Sequence, residues 1–171
     1  MSDLVKNILE KGYHELYEPE GISLINIDDY KLLNVEERSR DNGKLDISSG
    51  LTKKLEIFST YLKTKYIDPN WPDAKYNKFI VWEGVDRDNQ GWHTDMFEGY
   101  DLFLLYYFDD THEDTGGGIE FKWKDGESSH QPKKGSLFLV NNCRGFWHRA
   151  IESKIKRRVA SFDFNVGLEN E

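Results

Sequence analysis

The chain has 171 residues, 32% of them charged and 14% aromatic, with a formal net charge of −8. That length suits one domain with a core of its own. The acidic balance argues against a general binder of nucleic acid or anionic membrane, because phosphate contacts need Lys and Arg in excess. The one basic run is Lys154-Ile155-Lys156-Arg157-Arg158. A single cysteine, Cys143, rules out an internal disulfide and fits a reducing compartment. Met1-Ser2-Asp3-Leu4-Val5-Lys6 lacks the basic head and apolar core of a secretory signal, and no apolar run is long enough to span a bilayer. A soluble, cytoplasmic protein is expected.

Leu4, Val5, Ile8 and Leu9 share one helical face, which predicts a short helix over 3–11 ending at Gly12. Ile22, Leu24 and Ile27 suggest a strand near 22–27. Residues 36–49 are polar and contain the turn signal Asp41-Asn42-Gly43, so they read as a loop. Leu51, Leu55, Phe58 and Leu62 then recur at helical spacing, which predicts a helix over 50–66 closed by Pro69 and Pro72.

From Lys78 the period changes to two. Strands are predicted at Phe79-Ile80-Val81-Trp82, at 101–108, at 119–123 with one wet face, at 137–140, and at 146–151 and 157–166. Helices followed by a run of short antiparallel strands predict a mostly β domain with flanking helices, a sandwich or jelly roll. Residues 1–77 would be the mainly helical support and 78–166 the β core.

The chemistry starts at Gln90-Gly91-Trp92-His93-Thr94-Asp95. On an extended backbone, residues two apart point to one side, so His93 and Asp95 can aim at one metal ion. Chance alone supplies a His-x-Asp in about one such chain in three, and His112-Glu113-Asp114 is a second. The first precedes a central strand, a rigid support for ligands. The second lies in a polar acidic connection whose ordinary reading is a solvated loop.

A third ligand should come from a late strand, and His148 is placed for it. If 146–151 and 157–164 form a hairpin centred on Ser153, Arg158 lies opposite His148 and shares its face. Arg158 also has the parity of Ala160, Phe162 and Phe164, the apolar face, whereas Arg157 goes with Asp163. A buried Arg beside a metal ligand needs an anion. That anion is either a bound carboxylate or an internal Asp or Glu. Trp92 and Trp147 should point away from the metal, into the core. Gly116-Gly117-Gly118 has no helix or Lys after it, as a phosphate loop would need, and reads as a hairpin loop.

Two His and one carboxylate with open positions make the facial triad of non-haem Fe(II) oxygenases. The chain resembles the Fe(II)- and 2-oxoglutarate-dependent dioxygenases, most nearly the prolyl 4-hydroxylase-like branch. The resemblance runs from about Phe79 to Phe164. It is carried by Val81-Trp82-Glu83-Gly84, His93-Thr94-Asp95, Leu104-Leu105-Tyr106-Tyr107-Phe108, Gly116-Gly117-Gly118-Ile119-Glu120-Phe121, Pro132-Lys133-Lys134-Gly135-Ser136-Leu137, and His148 with Arg158 ten residues on.

What the resemblance implies is a double-stranded β-helix, a cupin-like jelly roll, with the early helices packed outside. It implies His93, Asp95 and His148 as iron ligands and Arg158 as anchor for the distal carboxylate of 2-oxoglutarate. Tyr107 would help hold that carboxylate. Trp82 stands where this branch often has a Tyr near the cosubstrate, and an indole can only donate. The implied reaction uses Fe(II), 2-oxoglutarate and O₂ to hydroxylate an unactivated C–H bond, with succinate as coproduct.

A prolyl or other side chain in a peptide is the leading substrate, and a free amino acid or small metabolite the next. No nucleic acid or membrane partner is expected, and the sequence leaves the oligomeric state open. Residues 36–49 and 86–90 are candidate lids. Two other classes share the triad or the fold: a cupin-like non-redox metal enzyme and a silent jelly-roll binding module. The first gives Arg158 no task, and the second would keep the ligands only as structure.

Overall fold

The computed structural model describes residues 1–30, 49–84, 91–95, 99–155 and 157–168, the side chains of residues 49 and 82–84 excepted. Both candidate lids, 36–49 and 86–90, lie outside the described residues, save the backbone of residue 49. Helix α1 runs Asp3–Lys11, as its periodicity predicts. The Ser2 hydroxyl caps it by accepting from the Val5 amide, and Gly12 closes it at φ 83°, a left-handed conformation that glycine enters without penalty.

The next stretch differs from expectation. Strand β1 forms at Tyr13–Tyr17, and residues 22–27 are not a strand. They fall within a short helix, α2 (Glu20–Leu24), and the start of a 3₁₀ turn, Ile27–Asp29. Pro19, at φ −71°, presets the turn of the chain into α2. Ile25 and Ile27 are then buried against the helical layer. Four apolar residues in six positions, Ile22, Leu24, Ile25 and Ile27, fit either period, and the packing decides between them.

Helix α3 covers Ser49–Leu62 and continues as a π-helical turn over Lys63–Ile67, close to the predicted 50–66. Leu51, Leu55, Phe58 and Leu62 are all 0% exposed. Burial of side chains this size contributes roughly 2 kcal/mol each. Glu18, just after β1, is equally buried. One of its carboxylate oxygens accepts from Lys65 Nζ (2.7 Å), the Tyr66 hydroxyl (2.6 Å) and the Tyr61 hydroxyl (3.2 Å), and the other from the Glu20 amide. This network pins the helical layer to the end of β1. Burial pushes the Glu18 carboxyl up, but the bonds from Lys65, Tyr66 and the Glu20 amide outweigh it and hold it below its ordinary value.

The remaining strands are β2 (Lys75–Gly84), β3 (Leu102–Tyr107), β4 (Ile119–Trp123), β5 (Gly126–His130), β6 (Ser136–Asn141), β7 (Trp147–Ala150) and β8 (Arg157–Asn165). All the pairings are antiparallel. One sheet has the order β1-β6-β3-β8-β2 and the other β5-β4-β7. These are the two faces of a jelly roll, with helices packed outside the larger sheet. Strand β1 belongs to that sheet, so the first 77 residues supply part of the β core as well as its support.

The larger sheet is buried on both sides. Its outer face meets the helices: Leu102, Leu104, Tyr106, Ala160, Phe162 and Phe164 pack with Leu51, Leu55, Phe58 and Leu62. Its inner face, with Phe103, Tyr107, Phe138, Val140 and Val159, meets Ile119 and Phe121 of the smaller sheet. The apolar face of β8 is therefore the one under the helices. The inner face carries Arg157, Val159, Ser161 and Asp163.

The predicted β7–β8 hairpin does not form. Strand β7 pairs with β4, whereas β8 pairs with β3 and β2 in the other sheet. The segment between them crosses from one sheet to the other. It is stitched to the glycine loop on the way: the Gly117 amide donates to the Glu152 carbonyl, Ile151 to Gly118, and Lys154 to Thr115. A chain that changes sheets after Ala150 cannot also fold back on itself at Ser153.

Candidate metal centre

His148 sits on β7, opposite Phe121 of β4, with its side chain buried against Phe103 across the interior (ring centroids 5.1 Å apart). The partner ligands come from residues 91–95, which run beside β7 as a single bridge. The His93 amide donates to the His148 carbonyl at 3.1 Å and the reverse bond is 3.0 Å. Those two bonds bring the imidazoles to 4.4 Å between centroids. His148 Nε2 lies 3.4 Å from Asp95 Oδ2. The candidate ligand atoms of His93, Asp95 and His148 all lie within 4.8 Å of one another, and among the described residues this is the only such group.

The protonation states suit a cation. His93 Nδ1 is 2.8 Å from the Gly91 carbonyl, which only accepts, so Nδ1 is the donor there and Nε2 is the nitrogen available to a metal. Burial, followed by the neighbouring His93, holds the His148 imidazole below its ordinary value, and so neutral, despite Asp95. Burial pulls the Asp95 carboxyl up. The hydrogen bond from His148, the electrostatic influence of the two imidazoles and the Tyr100 hydroxyl outweigh it and hold the carboxyl below its ordinary value.

Two imidazoles and a carboxylate are the donor set of a first-row divalent ion such as Fe(II), with positions left open. Ligands about 2.1 Å from one ion lie within about 4.2 Å of each other. A small inward movement therefore closes the group on a metal, and the residues fit.

Beyond the triad, the inner face of β8 brings in Arg157. Its guanidinium stands 5.8 Å from the centre of the Tyr107 ring. Nη1 donates to the Gly117 carbonyl and, at 3.4 Å, to that of Gly118. Nε is buried with no hydrogen-bond partner among the described residues. Tyr107 is itself buried, which pushes its hydroxyl up to about 12, so it keeps its proton and can donate a hydrogen bond. A cation and a phenol O–H thus share the space between the sheets, on the side where His148 faces inward.

Arg158 is not there. It projects to the outer face, where Nε and Nη2 donate to the two Asp109 oxygens at 2.9 and 2.5 Å, and Nη1 donates to Asp28 at 2.6 Å. The expectation that Arg158 shares a face with His148 is corrected. It rested on a hairpin that does not form and on taking the apolar side of β8 as the interior. The internal-acid alternative is what Arg158 meets.

The chain superimposes on several solved enzymes. A prolyl hydroxylase from Trichoplax adhaerens, in complex with a peptide fragment of the hypoxia inducible factor oxygen degradation domain, matches with TM-score 0.66 and 14% identity over 95% of this chain and 87% of that one. A Pseudomonas putida prolyl-4-hydroxylase gives 0.65 and 13%, over 95% and 97%. An oxidoreductase of the 2OG-Fe(II) oxygenase family from Burkholderia pseudomallei gives 0.68 and 11%, over 95% and 89%. The fold is that of the 2-oxoglutarate/Fe(II) oxygenases. No protein-family model and no curated protein sequence matches the chain.

Within this oxygenase fold the other expected residues fall as follows. His112 is exposed, bridged to Gly116 in the β3–β4 connection, and outside the triad. Trp82 lies on β2, and its side chain is outside the described residues. Trp147 is not core: at 37% exposed it stands on the outer face of the smaller sheet. Trp92 is half-buried on the surface, stacked by the Arg149 guanidinium at 4.4 Å, and Arg149 is in turn paired with Glu120. The expected burial of both tryptophans is thus corrected. Among the described residues nothing packs on the outer face of the three-stranded sheet, and Lys122 and Arg149 stand over the Trp92 ring there.

Sequence reasoning passed over two residues near the site, Arg157 and Asn142. For Arg157 the signal was present as its shared parity with Asp163, a polar face of β8. For Asn142 there was none.

Proposed function

We propose that the chain is an Fe(II)- and 2-oxoglutarate-dependent dioxygenase that hydroxylates an unactivated C–H bond, in the side chain of a prolyl or other residue of a peptide. The observation that supports this reading best is the pairing of two features in the layer between the two sheets. A His93–Asp95–His148 donor set lies at one edge, and an inward Arg157 with an unpaired buried Nε lies beside Tyr107. A non-redox metal enzyme would use the first and leave the second idle. The peptide reading is supported by the prolyl hydroxylases among the structures of this fold, one of them in complex with a peptide fragment.

In this reading His93, Asp95 and His148 hold the iron. The iron, with 2-oxoglutarate and O₂, supplies the oxidising chemistry, and the cosubstrate leaves as succinate and CO₂. The chain's own residues bind, orient and exclude water. Arg157, rather than Arg158, presents its guanidinium to the distal carboxylate of 2-oxoglutarate, and the Gly117 and Gly118 carbonyls fix the plane of the fork. Tyr107 donates to the same carboxylate. Phe103, Phe121 and Val159, packed in the apolar cluster between the sheets, exclude water beside these groups.

The direct experiment mixes apoprotein, Fe(II) and 2-oxoglutarate without air and records the visible charge-transfer band. Air is then admitted, and succinate and one-oxygen mass gains are measured on a library of proline-containing peptides. Absence of both the band and succinate sinks the oxygenase reading. Succinate with no peptide product, but with an oxidised amino acid or metabolite in a cell extract, sinks only the peptide part.

A further inference from the structure

We propose that Asn142 is the positioning residue for Asp95, one carboxamide that locks the carboxylate-bearing loop to the start of β3. The proposal rests on the reading of the triad as a metal centre. Asn142 follows the last residue of β6 and is 1% exposed. Its Oδ1 accepts from the Asp95 amide at 2.7 Å, its Nδ2 donates to the Tyr100 carbonyl at 3.0 Å, and its own amide donates to the Asp101 carbonyl at 2.8 Å. The two ends of one side chain therefore hold residues 95 and 100, the two sides of the connection from the metal loop into β3.

The need for this is visible in the asymmetry of the triad. His148 is on a strand paired to β4, and His93 is bonded to it through the backbone. Asp95 lies two residues past that bridge, outside any strand. The bond from its amide to Asn142 is what continues the backbone restraint as far as Asp95. Only a side chain with one acceptor and one donor at carboxamide separation satisfies both backbone groups at once. The residue next door supplies an internal comparison. Asn141 is also buried, and its carboxamide also bridges two backbone groups, the Ile8 carbonyl and the Cys143 amide, away from the triad.

The test is anaerobic titration of the apoprotein with Co(II), read by its visible d–d bands, and with Fe(II) by competition. Wild type, Asn142→Ala, Asn142→Ser and Asn141→Ala are compared, with circular dichroism and thermal unfolding on each. The expected result is a loss of metal affinity of about 10- to 100-fold for both Asn142 variants, the usual effect of removing a group that orients a ligand. Asn141→Ala should lose thermal stability yet bind metal within about twofold of wild type. Serine is the milder change, too short to reach both backbone groups, and guards against a misfolded alanine variant. The proposal is overturned if folded Asn142→Ser binds Co(II) as wild type does, or if Asn141→Ala weakens binding as much. Wild type that takes up no metal overturns the metal-centre reading itself, and this proposal with it.

Discussion

Replacing Arg157 by Ala should weaken 2-oxoglutarate binding and leave the fold standing. Replacing Arg158 should do the reverse. Arg157 faces the interior with its Nε unpaired among the described residues, so what it offers a carboxylate is charge-assisted hydrogen bonding worth about 1.5–3 kcal/mol. That corresponds to a rise in Kd of roughly 10- to 150-fold. Arg157→Lys keeps the charge but loses the planar fork, and should fall between. Arg158 instead holds Asp109 and Asp28 outside the larger sheet, and its removal leaves the Asp109 carboxylate with only the Arg158 amide of its three bonds from that residue. Breaking such a pair costs about 3 kcal/mol. In a chain of this length that is a fall in Tm on the order of 6–10 °C. Titrating 2-oxoglutarate into the anaerobic Fe(II) protein, followed by the charge-transfer band, measures the first effect, and thermal unfolding the second. If Arg158→Ala loses the cosubstrate and Arg157→Ala keeps it, the assignment of faces on β8 is refuted.

Asp95→Ala should abolish iron-dependent succinate release while Asp114→Ala leaves it nearly intact; the opposite pattern would move the site to His112. Gly117→Ala must adopt φ near +81° and places a Cβ 3.0 Å from Ser153 Oγ and 3.2 Å from Arg157 Cδ. The strain alone is about 1–2 kcal/mol. Its KM for 2-oxoglutarate should rise about tenfold, with kcat at saturation little changed, and steady-state kinetics that show only a kcat loss would count against it. Glu18 gives a pH prediction. Its folded carboxyl is held below the ordinary 4.5, so its contribution is complete above that value and lost as pH falls below it. Thermal unfolding of wild type should therefore weaken on acidification through pH 4.5. Glu18→Gln should be about 2 kcal/mol less stable at pH 7 and show a flatter acid response. Equal slopes for the two proteins would rule this out.

Much of the fold was legible because burial follows period. Leu51, Leu55, Phe58 and Leu62 announced α3, and Ile119 and Phe121 the inner face of β4. Strand β1 was not legible, because Tyr13-His14-Glu15-Leu16-Tyr17 carries little alternation and gains its place only by pairing with β6. The triad was legible from spacing and context. The arginine was not, and the reason is general to a sheet with helices on one side. On β8 both faces are buried, so hydrophobicity marks the face under the helices, and the face toward the smaller sheet, with Arg157, is the more polar one. Asn142 was invisible because its partners are backbone atoms of residues 95 and 100, which no side-chain pattern encodes.

The way Arg157 and Arg158 divide between two layers also bears on insertions and deletions. Adjacent residues on β8 serve the space between the sheets and the helical layer, so a shift of one residue in the register of this strand would exchange them. The segment that feeds β8 is surface-exposed at Glu152 and Lys154, where loops usually accept length changes. Here its amides and carbonyls are already committed to residues 115–118. One residue gained or lost between Ala150 and Arg157 would therefore take Arg157 from between the sheets and Arg158 from the helical layer together. A change of two would restore the parity of β8, and length variation in this connection should occur in even steps.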